Sequence, residues 1–263
     1  MFGWLRPRRA PPAIPQALWQ DVLGRYPFLA SLAPAQQQRL RELAAQFLAS
    51  KEFHGAQGLE ITDDMALSVA VQAVLPVLHL GLGWYDDFVG IVMHPGEVVA
   101  RRSVADEDGV VHAYDEVLAG EAMDGGPVML NWHDVRAAGE SAAQGYNVVI
   151  HEFIHKIDMR DGAPDGCPPL PSPAARQSWL AVMREQYEAF REKVIIAERF
   201  GGEQPWLDAY GAQAIDEFFA VACEAYFVNR ERFSAEFPAL PPLFDSFFGL
   251  QPAPVLRRQL SNQ

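Results

Sequence analysis

The sequence has few of the features that mark secreted, membrane-bound or nucleic-acid-binding proteins. It holds only two cysteines among 263 residues, which is too few for a disulfide framework, so we expect a reducing, cytoplasmic location. Basic residues are scarce, since 21 Lys and Arg stand against 34 Asp and Glu, a formal net charge of −13. This charge repels phosphate backbones and anionic lipid surfaces, which argues against direct binding of nucleic acid or membranes.

Long apolar runs are also missing from the sequence. The stretch at 65–83 comes closest to a membrane span, but Pro76 and His79 interrupt it, and a span needs about 20 mostly apolar residues. We interpret this stretch as a buried helix. The basic start of the chain is followed by prolines rather than by the apolar region of a signal peptide. We therefore expect a flexible basic tail over residues 1–14.

Both ends of the remaining chain have helical patterns. In the N-terminal part, 15–83, apolar positions recur at helical spacing over residues 15–50, with a break around Pro34. We therefore predict two helices there, the second over about Pro34–Ser50. The C-terminal part, 173–250, begins with a long amphipathic helix. A second helix is predicted over IDEFFAVACEAYFVNRERF, residues 215–233.

The middle of the chain, 84–160, has a different character. Its short segments are rich in β-branched residues and are bounded by Gly, Pro or Asp, which is typical of strands in a small sheet. They are DDFVGIVMHPGEVVARR, GVVHAYDEVLAGEA and GPVMLNWHDV. A loop rich in Pro and Gly follows at 161–173. We predict one domain over 15–250, with a mostly helical α+β fold around a small mixed sheet, and a tail over 251–263.

The strongest chemical signal is the segment NVVIHEFIHKID, residues 147–158. Residues four apart on a helix project side by side, so His151 and His155 can bind one ion. Glu152 lies about 100° around the helix from His151, near enough to reach a water on that ion. This is the H-E-x-x-H arrangement, in which two histidines hold zinc and the glutamate accepts a proton. The apolar neighbours favour a metal site over satisfied core histidines, because buried polar groups need partners.

A third protein ligand is expected, because catalytic zinc usually has three. The helix IDEFFAVACEAYFV is apolar almost all round, yet it carries Glu217 and Glu224. These glutamates are seven residues apart, thus on one face and about 10 Å from each other. One zinc ion cannot bind both, and the spacing does not choose between them.

Asp158 lies one helical turn beyond His155, above the same face. Its carboxylate could accept the free N–H of a ligating histidine and fix the tautomer of that ring. It could equally be solvated, or form an ion pair with Lys156 or Arg160.

The segments HEFIHKID, DAYGAQAIDEFFAVACEAYF and GPVMLNWHDV together resemble the Mlc titration factor A family of bacterial zinc peptidases. The catalytic part of that family is in turn similar to that of anthrax lethal factor. The resemblance covers most of the chain and implies a zincin-like fold with one zinc ion, bound by His151, His155 and Glu217. It leaves Glu224 as a supporting acid. It also implies that Tyr210, which spacing alone would place in the core, donates a hydrogen bond to the oxyanion of the scissile carbonyl.

The functional hypothesis is zinc-dependent peptide hydrolysis with Glu152 as general base. The resemblance further implies a gluzincin-type aminopeptidase acting on short peptides, and a possible partner, an Mlc-like transcriptional repressor. We expect VMLNW (128–132) either to pair with an extended substrate as an added strand or to be merely the edge of the sheet. The alternative function is a non-catalytic protein that sequesters a repressor and binds zinc structurally. Glu152 argues against it, because a structural site needs no general base.

Overall fold

The computed structural model describes most of the predicted domain. The described residues are 11, 13–96, 98–105, 111–118, 120–162 and 164–249, with the backbone alone described for 98–105 and 111–118. Most of the predicted basic tail and all of the predicted C-terminal tail therefore lie outside the described residues.

Helices fill both ends of this part of the chain, so the fold is mostly helical α+β, as the sequence predicts. The helices are α1 (Gln16–Arg25), α2 (Pro27–Ala30), α3 (Pro34–Ser50), α4 (Asp63–Ala73), α5 (Trp132–Ser141), α6 (Val148–Asp158), α7 (Pro173–Phe200), α8 (Ile215–Val228), α9 (Arg230–Glu236) and α10 (Leu240–Phe248). The strands are β1 (Glu52–Gly55), β2 (Gly90–His94), β3 (Val98–Ala105), β4 (Val111–Leu118), β5 (Gly120–Ala122) and β6 (Val128–Asn131). None of the helices that the structure describes is long and apolar enough to cross a membrane.

Four of the strands form one small mixed sheet in the order β1-β2-β6-β5. The first two pairings are parallel, and β5 runs antiparallel to β6. Parallel neighbours need long crossovers, and α4 lies in the connection from β1 to β2. Among the described strands, β3 and β4 pair with each other alone, as a separate antiparallel ribbon.

The position of β6 contradicts both expectations for the segment VMLNW. Strand β6 is hydrogen-bonded to β2 on one side and to β5 on the other, so it is neither the sheet edge nor available to an added strand. The edge on this side, among the described strands, is β5. The short segment Gly120–Ala122 was predicted as part of a strand region, but not as the edge.

Helix boundaries follow the sequence prediction at some positions and depart from it at two. Helix α3 has the predicted bounds, but the apolar stretch 65–83 is helical only as far as Ala73. Pro76 lacks an N–H and disfavours helical backbone in the residue before it, so the helix ends early. The helix predicted over 215–233 is divided into α8 and α9 at Asn229, which has a φ of −145° and caps α9 with its side chain.

Helix α6 lies at the centre of the fold. It contacts α8 on one side, β5 and β6 on another, and α4 and α5 elsewhere. Its residues are buried except His155, which is half-buried. Other elements thus cover this helix on every side. Several elements therefore determine the position of each polar side chain on α6.

Candidate metal centre

Three side chains from α6 and α8 converge on one point. His151 Nε2 lies 3.1 Å from Glu217 Oε2, His155 Nε2 lies 3.3 Å from the same oxygen, and the two nitrogens are 3.1 Å apart. The histidines are four residues apart on α6, and Glu217 lies in the first turn of α8, which packs against it. The structure thus brings together the three side chains that the resemblance implied as ligands.

These separations fit a single small cation. A tetrahedral ion with bonds of about 2.0–2.1 Å places its ligand atoms about 3.3 Å apart, close to the distances between these three atoms. Burial raises the pKa of Glu217, but contacts with the imidazoles of His151 and His155 outweigh it and lower this pKa to about 2. The carboxylate is therefore ionised and its lone pairs are available to a cation.

Glu224 lies behind His151 rather than in front of it. Its Oε1 is 2.7 Å from His151 Nδ1, and its Oε2 accepts the backbone N–H of Asn147. A carboxylate at Nδ1 holds the proton on that nitrogen, so the lone pair of Nε2 points to the convergence point. Only Glu217 reaches that point, which distinguishes two glutamates that spacing alone could not separate.

A buried polar chain continues behind Glu224 and was not foreseen from the sequence. Asn147 caps α6 by accepting the N–H of Ile150 at 2.9 Å, and its Nδ2 donates to Gln72 Oε1 at 2.7 Å. Gln72 in turn donates to the carbonyl of Ser68 at 2.9 Å. The signal that could have revealed it is a glutamine within the apolar run MALSVAVQAVL, because a buried amide needs partners.

Glu152 lies on a different side of α6, beneath the edge strand. It is 5% exposed, and this burial raises its pKa to about 7, against the opposing effect of the two imidazoles. Gly120 of β5 passes directly over it, because a Cβ at that position would lie 2.5 Å from Glu152 Oε1. A larger residue at this position would therefore have to displace the Glu152 side chain.

One cavity of about 230 Å³ is lined by the three converging side chains, by Glu152 and Gly120, and by Tyr210. Tyr210 lies in the 3-10 turn Ala209–Ala212, and its backbone N–H is fixed by Asp208 Oδ1 at 2.9 Å. The centroid of its ring is 6.0 Å from that of His151. Tyr210 therefore faces the cavity rather than the core, where spacing alone would have placed it.

Asp158 serves none of the purposes that its spacing suggested. Its carboxylate is fully buried and accepts the backbone N–H groups of Gly166 and Cys167, both at 2.9 Å. Burial raises its pKa to about 7, while these two hydrogen bonds lower it. Arg160 instead pairs with Asp87 at 3.4 Å. Asp158 thus anchors the Pro/Gly-rich loop to the end of α6, because the reversing chain needs an acceptor for its N–H groups.

A mostly helical fold brings an H-E-x-x-H helix and a carboxylate from a second helix together at one potential cation site, an arrangement that fits a metallopeptidase-type hydrolase. The comparison with protein families agrees. The sequence pattern of the glucose-regulated metallo-peptidase M90 family matches residues 2–249, and the chain belongs to this family.

Three relatives of nearly the same length align with this chain, and each is named Mlc titration factor A. The protein from Edwardsiella ictaluri (strain 93-146) is 37% identical over 247 residues, covering 93% of this chain and 92% of the relative. The protein from Serratia proteamaculans (strain 568) is 34% identical over 259 residues, covering 98% and 96%. The protein from Yersinia pestis (strain Pestoides F) is 33% identical over 261 residues, covering 98% and 93%.

Proposed function

We propose that this protein is a zinc-dependent peptidase in which Glu152 acts as general base. The observation that carries the proposal is the convergence of three ligand atoms, 3.1–3.3 Å apart, beside a cavity that Glu152 also lines. Two imidazoles and one carboxylate form a donor set that suits zinc and leaves a fourth position open to water or substrate. His151, His155 and Glu217 are the proposed ligands.

Three residues besides the proposed ligands have tasks in this mechanism. When bound, zinc lowers the pKa of a water toward about 7 and polarises the scissile carbonyl. Glu152 accepts a proton from the attacking water and passes it to the leaving nitrogen. The Tyr210 phenol donates a hydrogen bond to the oxygen of the carbonyl as charge develops there. Glu224 keeps His151 in the tautomer that leaves Nε2 unprotonated.

The substrate main chain is proposed to pair with β5. The Met123 N–H donates to the Pro127 carbonyl at 3.3 Å, and hydrogen-bonded pairs alternate in an antiparallel ladder. Glu121 is therefore hydrogen-bonded to its β6 partner, and the backbone groups of Gly120 and Ala122 point toward the open edge. An extended peptide added there would lie alongside Glu152.

Two finer proposals concern specificity and partners. Following the resemblance, we propose aminopeptidase action on short peptides and an additional interaction with an Mlc-like transcriptional repressor. The second is supported by relatives named Mlc titration factor A that align over more than nine tenths of the chain. The competing proposal, a repressor-sequestering protein with structural zinc, assigns no task to a glutamate buried beside the cavity.

Glu152→Gln tests the function. The variant should retain zinc, because Glu152 contributes no ligand atom, while peptide hydrolysis falls by about 10²–10⁴-fold. Zinc content and cleavage of matched free and N-blocked peptides would be measured together. Hydrolysis at the wild-type rate would refute the role of Glu152. Cleavage of the N-blocked peptides would refute the aminopeptidase proposal alone.

A further inference from the structure

Helix α6 presents two pairs of residues at four-residue spacing to two different neighbours. His151 and His155 face α8, where they meet Glu217. Glu152 and Lys156 are offset from them by one residue and face the hairpin of β5 and β6. Glu152 lies beneath Gly120, and Lys156 lies beneath the turn that joins the two strands.

Lys156 is an unusual residue for such a position. It is fully buried, and its Nζ donates to the carbonyl oxygens of Met123 and, at 2.9 Å, of Gly126. The same Nζ lies 4.6 Å from the centroid of the Phe88 ring. Burying an ammonium group is costly, and an apolar side chain of similar size would fill the space without that cost. Compared with such an apolar side chain, the lysine adds two hydrogen bonds to the turn.

Strand β5 needs such an anchor more than the other strands of its sheet. It has only three residues and pairs with β6 alone, with its other side open among the described strands. Short pairings of this kind are only marginally stable by themselves. Yet at Gly120 the strand lies so close to Glu152 that a Cβ there would force the Glu152 side chain to move. A small shift of β5 would therefore change the distance between Glu152 and anything bound along the strand.

We propose that Lys156 is a positioning residue that anchors the β5–β6 turn to α6 and so sets where an extended peptide lies relative to Glu152. The proposal rests on the function proposed above. His155 immediately precedes Lys156 in the sequence, so one helical turn carries both a proposed metal ligand and the anchor of the substrate strand. Helix α6 would therefore fix the position of the peptide relative to the metal.

The chain offers a matched control in Lys51. It is also a buried lysine, and its Nζ donates to two backbone carbonyls, those of Tyr85 at 2.5 Å and Phe88 at 2.6 Å. Its Nζ contacts the same aromatic ring, 3.7 Å from the centroid. It does not contact the β5–β6 turn. Lys51→Met therefore reproduces the loss of a buried ammonium without releasing β5, which Lys156→Met does release.

The first readout is amide hydrogen exchange, which needs no activity. In Lys156→Met, the amides of Glu121 and Met123, which are hydrogen-bonded within the β5–β6 hairpin, should exchange about tenfold faster or more, as expected when about one hydrogen bond's worth of stabilisation is lost. In Lys51→Met, they should exchange as in the wild type. Unchanged exchange of these amides in Lys156→Met would overturn the proposal. If that variant does not fold, Lys156→Gln keeps an NH2 donor group on a shorter, uncharged side chain and should show an intermediate increase. Wild-type exchange in Lys156→Gln would then overturn the proposal.

The second readout separates extended from minimal substrates. For a hexapeptide, Lys156→Met should raise KM by about tenfold, the loss expected when strand pairing is weakened. The KM for an aminoacyl anilide, which is too short to pair along β5, should stay unchanged, as should zinc affinity. Equal losses for both substrates, or the same loss in Lys51→Met, would overturn the proposal. If the wild type cleaves neither substrate, the proposed function is wrong, and hydrogen exchange alone decides whether Lys156 anchors β5.

Discussion

Replacing Glu224 by glutamine should weaken zinc binding without removing a ligand. Both oxygens of Glu224 accept N–H groups, one from His151 Nδ1 and one from the Asn147 backbone. Glutamine has one acceptor oxygen and one NH2 group, so one of these two N–H groups would face another donor. Loss of such a supporting carboxylate typically reduces metal affinity 10–100-fold, which corresponds to about 1.4–2.8 kcal/mol.

The assay is competition for zinc against a chelator of known affinity, performed on the wild type, Glu224→Gln and Glu217→Gln. Glu217→Gln removes a proposed ligand and should cost more than Glu224→Gln. An exposed carboxylate on α5, Glu140, provides the control, since Glu140→Gln makes the same change of charge away from the site. The reasoning is refuted if Glu224→Gln binds zinc like the wild type, or if it loses more affinity than Glu217→Gln.

Two further substitutions test the remaining parts of the cavity. Gly120→Ala should lower kcat by tenfold or more while zinc is retained. The new Cβ would lie 2.5 Å from Glu152 Oε1 and would displace the proposed general base, whose position matters for the rate. A wild-type kcat would contradict this contact. Tyr210→Phe should lower kcat by about 10²-fold, the usual effect of removing one oxyanion donor, while KM for the same peptide changes little; a change confined to KM would instead assign Tyr210 to substrate binding.

The sequence was sufficient for features that depend on local spacing. The four-residue interval of His151 and His155 predicted their convergence, because helix geometry alone places them side by side. Helix α3 began and ended where its pattern predicted. Pro173 begins α7 with Ser172 as its cap, at the start of the predicted amphipathic helix.

Features that depend on packing between distant elements could not be predicted in this way. Glu217 and Glu224 lie on the same face of one helix, and only the way α8 packs against α6 shows which one reaches both imidazoles. Strand order is equally non-local, so β6 was taken for an edge although β5 covers it. Asp158 and Lys156 bind backbone groups of loops and turns, and a sequence pattern shows side-chain spacing but not the path of such segments.

The most direct test of the central claim is anomalous diffraction at the zinc absorption edge from crystals of the protein grown with zinc. We expect one strong peak within about 2.0–2.2 Å of His151 Nε2, His155 Nε2 and a carboxylate oxygen of Glu217. A density map with no peak at that point, or with the zinc held by other side chains, would contradict the account.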